Sequence, residues 1–136
     1  MCLKGVGLMR LKNERGQATV ELALVLPVLL LILFGIMEFG RIFSAYLIIT
    51  NAAREGVRLA VVGGSDTAIE QRVEDAAAGL DETKLTVTIT PPASGRLSGT
   101  EATVRVDYSV DLVTPVLSGI APNPFPLTAQ STMRVE

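Results

Sequence analysis

The chain contains no histidine and one cysteine, Cys2. Zinc sites draw on grouped cysteine and histidine ligands, so none is expected. A Ser–His or Cys–His nucleophile pair needs the imidazole that is missing. One cysteine makes no internal disulfide. Cys2 has no apolar run before it and does not read as a lipoprotein cleavage site; a bland thiol in the reducing cytoplasm is expected. Carboxylates do not fill the gap, because Glu101, Asp107 and Asp111 are scattered and lack calcium-loop spacing. The net charge is −2, from 12 basic and 14 acidic residues, and no basic stripe is present beyond the N-terminus. That argues against a nucleic-acid partner. No catalytic residue, cofactor or metal is expected, and the chain does not read as an enzyme.

Charge is also missing locally. The segment Leu22–Met37, LALVLPVLLLILFGIM, carries none. Extended back to Gln17, the run is interrupted only by Glu21. About twenty residues at 1.5 Å each span roughly 30 Å, the thickness of a bilayer's hydrocarbon core. A chain of 136 residues has no large core to surround such a run, so membrane lipid is its expected environment. Lys4, Arg10, Lys12 and Arg15 precede the run, opposed only by Glu14, whereas Glu38 and Arg41 beyond it nearly cancel. Basic residues stay inside, which predicts a cytoplasmic N-terminus and an extracytoplasmic remainder on a single-pass protein of the cytoplasmic (inner) membrane.

A cleaved signal peptide fits poorly. The run exceeds an apolar core of about 7–15 residues, and no small-x-small site lies after it. The chain instead continues as helix: Ile42, Tyr46, Ile49, Ala53, Val57 and Val61 recur at steps of three and four. One helix is predicted from about Gln17 to Val62, bent but not ended at Pro27, with Gly63-Gly64 as its stop. The predicted division is a basic leader 1–16, a transmembrane helix 17–37, a juxtamembrane helix 38–62 and an extracytoplasmic α+β domain 63–136.

Glu38 and Arg41 lie three apart at the membrane exit and are expected to form a solvated local pair. Asn51, Arg54, Glu55 and Arg58 form a polar face farther along, with Glu55 placed to pair with Arg58. Ala52, Ala53, Gly56 and Ala60 are small and let another element approach closely. Two readings stay open for this stretch: an amphipathic helix covering its own sheet, or a packing face for a neighbouring subunit.

Beyond the glycines, Thr67–Leu80 reads as a short amphipathic helix with Asp66 or Thr67 as N-cap. Three alternating runs come next. Leu85, Val87 and Ile89 alternate with threonines; Ala102, Val104, Val106, Tyr108 and Val110 alternate with polar residues; so do Leu127, Ala129, Ser131, Met133 and Val135. Each predicts a half-buried strand. Pro91–Thr100 is a loop, and the proline-rich Thr114–Pro126 is an ordered crossing. In that crossing Val113, Val116, Leu117 and Ile120 can form a helical turn against the sheet or the membrane surface. The predicted fold class is α+β: a long N-terminal helix packed on a small three-stranded antiparallel sheet that needs the helix as its second layer.

Glu21 is the residue that chemistry singles out. A carboxylate at full depth in an apolar helix costs about 2.5–3.5 kcal/mol, and less near the interface. It either snorkels to the headgroups or meets a cation in the membrane. Its surroundings are a basic leader ending at Arg15, then Gly16, four residues, Glu21 and the apolar helix. This arrangement resembles the processing site of type IV pilin-like proteins, in which a prepilin peptidase cuts after the glycine. The resemblance implies cleavage between Gly16 and Gln17, leaving a new ammonium on Gln17 and Glu21 in the fifth position. That charge pair, made between neighbouring subunits, can set the register of packed helices. Leu22 stands where processed pilins often carry an aromatic. More closely, ERGQATVELALVLPVLLLILFGIMEFGR followed by NAAREGVR resembles the TadE-like family of the tight-adherence (Flp) pilus system, densely over residues 14–60. The resemblance implies a pseudopilin or minor pilin whose partners are other pilins or pilus assembly proteins and a prepilin peptidase. An uncleaved single-pass scaffold in the pilus secretion machinery is the alternative.

Overall fold

The computed structural model describes residues 10–136, with side chains from Gly16 onward. Cys2, Lys4 and the side chains of Arg10, Lys12 and Arg15 lie outside the described residues. The chain divides into two compact units, one ending at Met37 and one running Glu38–Glu136.

Helix α1 runs Arg10–Val61 and continues through Pro27. It begins upstream of the expected Gln17 because Arg, Leu, Lys and Glu in the preceding stretch are all good helix formers. Its end is where the glycines place it. Gly63 sits at φ 85°, and the Gly64 amide donates back to the Leu59 carbonyl at 3.0 Å. Only glycine adopts that backbone cheaply, so the helix closes there. In the first unit, every large apolar residue from Val20 to Met37 is exposed. The stretch Gly16–Val61 contains a window with a mean hydropathy of 2.7, none of it buried, so one helix here is long and apolar enough to cross a membrane.

The second unit is α+β. Strands β1 (Leu85–Thr90), β2 (Glu101–Val110) and β3 (Phe125–Arg134) form an antiparallel sheet in the order β1-β2-β3. Val87 pairs with Val106, which pairs with Ala129 on its other side. That register stacks the apolar residues of all three strands on one face. Helix α1 covers this face through Ala45, Ile49, Ala52, Ala53, Val57 and Ala60, all buried with Val104, Val106 and Leu127. Helix α2 (Asp66–Ala76) adds Ile69 and Val73. Gly56 marks the closest approach. A Cβ there would meet Val73 Cγ2 at 2.6 Å and Val104 Cγ1 at 3.1 Å.

Three details differ from the sequence reading. The N-cap of α2 is Ser65, whose hydroxyl accepts from the Ala68 amide at 3.2 Å; Asp66 is the first helical residue. The helix stops at Ala76, short of Leu80, and Gly79 turns the chain at φ 99°. Met133 is exposed on β3 although its alternation partners Leu127 and Ala129 are buried. In the crossing between β2 and β3, Pro115–Ser118 form the turn α3. Val116 within it, and Val113 and Ile120 on either side, are exposed and do not tuck against the sheet.

Candidate functional site

Three groups along α1 hold the residues that the sequence singles out. The first is Gly16, Gln17 and Glu21. All three are exposed, and nothing lies within 4 Å of where a Gly16 Cβ would stand. The Gln17 side-chain amide donates to Glu21 Oε1 at 3.2 Å, one turn along the same face. The peptide bond between Gly16 and Gln17 is inside the helix. A peptidase acting there must first unwind that turn, which a glycine makes easier than any residue but proline.

The second group corrects an expectation. Glu38 and Arg41 do pair, at 2.9 Å, but the pair is not simply solvated, because the Glu38 side chain is only 3% exposed. The physical reason is a long-range partner. Glu38 Oε1 also accepts the Val113 backbone amide at 3.3 Å. Arg41 in turn donates to the Asp111 carbonyl at 3.4 Å. Asp111 forms an ion pair with Lys84, which precedes β1. That carboxylate hydrogen bond raises the Lys84 pKa above its usual value, against partial desolvation. Glu38, Arg41, Asp111 and Lys84 thus form a charged brace that ties α1 to the start of the crossing loop.

The third group is Asn51, Arg54, Glu55 and Arg58. Asn51, Arg54 and Arg58 are exposed, and Glu55 is half-buried. Glu55 bridges two arginines: Arg72 on α2 at 2.9 Å and Arg58 at 3.5 Å. The Arg72 hydrogen bond holds the Glu55 carboxyl below its usual pKa; desolvation opposes it and the Arg58 charge assists. With Leu59 and Val62 these residues line an open depression of about 600 Å³. The small residues Ala52, Ala53, Gly56 and Ala60 all point elsewhere, into the chain's own core. The covering-helix reading therefore accounts for them.

The sequence reading missed a further cation. Arg96 lies in the Pro91–Thr100 loop, yet its side chain is 3% exposed. It donates to Asp66 Oδ1 at 2.6 Å, to the Gly64 carbonyl at 2.7 Å and to the Pro91 carbonyl at 3.3 Å. Asp66 also accepts the Ala93 amide at 3.2 Å. These bonds, the Arg96 one foremost, depress the Asp66 pKa. Arg96 is thus the pin that fastens the loop to the α1–α2 corner. No spacing in the sequence signals it, since its partners lie about thirty residues upstream. Among the described residues no group of three or more acidic or cysteine side chains is arranged to hold a metal.

Residues 16–58 match the family model of the TadE-like proteins. The similarity is confined to that segment of α1; the sheet lies outside the match. That family consists of structural, pilus-associated proteins of the tight-adherence system and is not known for enzymatic activity. No curated protein and no solved structure matches the chain.

Proposed function

We propose that this chain, TadE-like over its first helix, is a membrane-anchored pseudopilin or minor pilin that supports assembly of a tight-adherence (Flp, type IVc-like) pilus. One coincidence carries the reading. The segment that matches the family, residues 16–58, is the same one in which a helical window of mean hydropathy 2.7 has no buried residue. In water that surface is unfavourable by about 25 cal/mol per Å² of apolar area, and a bilayer removes the penalty. The basic leader favours a cytoplasmic N-terminus in the inner membrane, with the α+β unit outside. The protein acts by lateral packing rather than by catalysis. Its partners are other pilins or pilus assembly proteins, reached through the apolar part of α1, with Glu21 setting the register.

Replacing Glu21 with Ala tests the mechanism. Membrane insertion is expected to persist, since the change removes a charge from the apolar helix, while piliation falls. Normal piliation in Glu21→Ala would end the role assigned to that carboxylate.

The helical backbone at Gly16–Gln17 favours a second reading, in which the leader is retained and the chain is an uncleaved single-pass scaffold of the secretion machinery. Mass spectrometry of the mature N-terminus separates the two. A chain beginning at Gln17 supports a processed pseudopilin, and one retaining the leader supports the scaffold.

A further inference from the structure

The crossing loop between β2 and β3 is apolar where a loop is normally polar. From Leu112 to Met133 the sequence holds no charged residue. Val113 is 73% exposed and Ile120 81%, both above Leu24 at 71%, the most exposed large residue of the apolar run. Val116 is exposed between them. Solvent-facing valine and isoleucine side chains in a short loop add nothing to the core. They are unfavourable in water unless something covers them.

Where the loop is held says what covers it. Its first exposed apolar residue, Val113, gives its amide to Glu38 at 3.3 Å. Glu38 directly follows Met37, the last residue of the uncharged run. The loop is therefore tied to α1 at the point where, on the proposed function, the helix leaves the hydrocarbon. Phe39 and Phe43, exposed on α1 beside this point in sequence, stack with ring centroids 6.1 Å apart. Aromatic and aliphatic side chains next to cationic groups are the composition of an interfacial membrane contact. Arg41, half-exposed in the brace, supplies a cation at that level.

We propose that the loop around α3 is a second membrane contact: Val113, Val116 and Ile120 enter the headgroup–acyl boundary, while the Glu38–Arg41–Asp111–Lys84 brace stays at the water side. The occupant is the lipid surface that surrounds the protein's own anchor. The contact turns a single-helix tether into attachment at two points and limits how the α+β unit tilts and rotates above the bilayer. It rests on the reading of α1 as a membrane anchor.

The chain has no tryptophan, so a single introduced one is a clean reporter. Three full-length variants are reconstituted in phosphatidylcholine–phosphatidylglycerol vesicles: Ile120→Trp, Thr88→Trp on the exposed face of β1, and Leu29→Trp in the apolar run. Each is titrated with lipids brominated at shallow or deep acyl positions and with aqueous acrylamide. Insertion to roughly 5–10 Å predicts that Ile120→Trp is blue-shifted and loses most intensity to shallow bromines. Leu29→Trp should respond to deep bromines, and Thr88→Trp to acrylamide alone. If Leu29→Trp responds to bromine but Ile120→Trp is quenched only by acrylamide, the loop contact is wrong and the anchor stands. If Ile120→Trp is shielded from both quenchers, protein covers the loop and the lipid assignment is overturned. If Leu29→Trp is not quenched by bromine, the anchor reading itself fails.

Discussion

Gly56→Ala is the change whose sign the packing decides. Gly56 is in the middle of a helix, where glycine costs about 0.8–1 kcal/mol relative to alanine. Propensity alone therefore makes the substitution stabilising. Packing opposes it. The new Cβ would stand 2.6 Å from Val73 Cγ2 and 3.1 Å from Val104 Cγ1. Both valines are wholly buried, one on α2 and one on the central strand β2, so neither can swing into solvent. Overpacking of this kind costs about 1–3 kcal/mol. The balance is a net loss of about 1 kcal/mol, which lowers the melting temperature by about 4–8 °C in a unit of this size. Both tyrosines, Tyr46 and Tyr108, are in the α+β unit. Tyrosine fluorescence during thermal unfolding of the full chain in detergent therefore reports on that unit without the anchor. Gly40→Ala is the control, since nothing lies within 4 Å of its added methyl. It should stabilise by up to about 1 kcal/mol. Val73→Ala combined with Gly56→Ala should recover part of the loss, because the clash partner is gone. If Gly56→Ala stabilised the protein as much as Gly40→Ala does, the close approach of α1, α2 and β2 at this glycine would be wrong.

Arg96→Met should lower stability in the same assay by about 1–2 kcal/mol, since it leaves the part-buried carbonyl acceptors at Gly64 and Pro91 without their donor. Arg96→Lys should rescue little of this, because a single ammonium cannot replace the guanidinium fork; full rescue would show that charge alone matters there. Acid should also destabilise the α+β unit. The folded carboxyls of Glu55 and Asp66 lie below their usual values of 4.5 and 3.8, so their contribution is present above those values and is lost as the pH falls through the lower folded ones. In Asp66→Asn the drop in melting temperature below pH 3.8 should be smaller than in the parent; an unchanged acid profile would remove Asp66 from the explanation.

The elements that the sequence announced share a physical cause. Strands β1 and β2 alternate strictly between apolar and polar residues, and a half-buried sheet face demands that period. The end of α1 was legible because two glycines in succession leave a helix nowhere to go. The apolar run was legible because an uncharged stretch of that length shows in composition alone, before any fold is known. Partnerships between distant residues were not. Glu38 looked like half of an exposed helical pair, and only folding brings it to an amide 75 positions away. Arg96 sat among loop residues with nothing beside it in sequence to mark it as buried. The cap of α2 was placed at Asp66 or Thr67 rather than Ser65 because serine, aspartate and threonine all suit that position. The structure separates them by giving Asp66 to Arg96.

The glycine–alanine stripe on α1 has a consequence for assembly. Ala52, Ala53, Gly56 and Ala60 are the residues that would let two such helices nestle backbone to backbone, and each monomer already uses them to hold its own sheet. On the proposed function, subunits that meet beyond Met37 do so through what α1 leaves exposed there, which includes Phe39, Phe43 and Leu47 as well as Arg54 and Arg58. Tight interlocking of helices is left to the bulky aliphatic stretch before it. On that same proposal, a filament or scaffold of such chains owes its close helix packing to its greasy end, because the small residues at the other end are already spent within each copy.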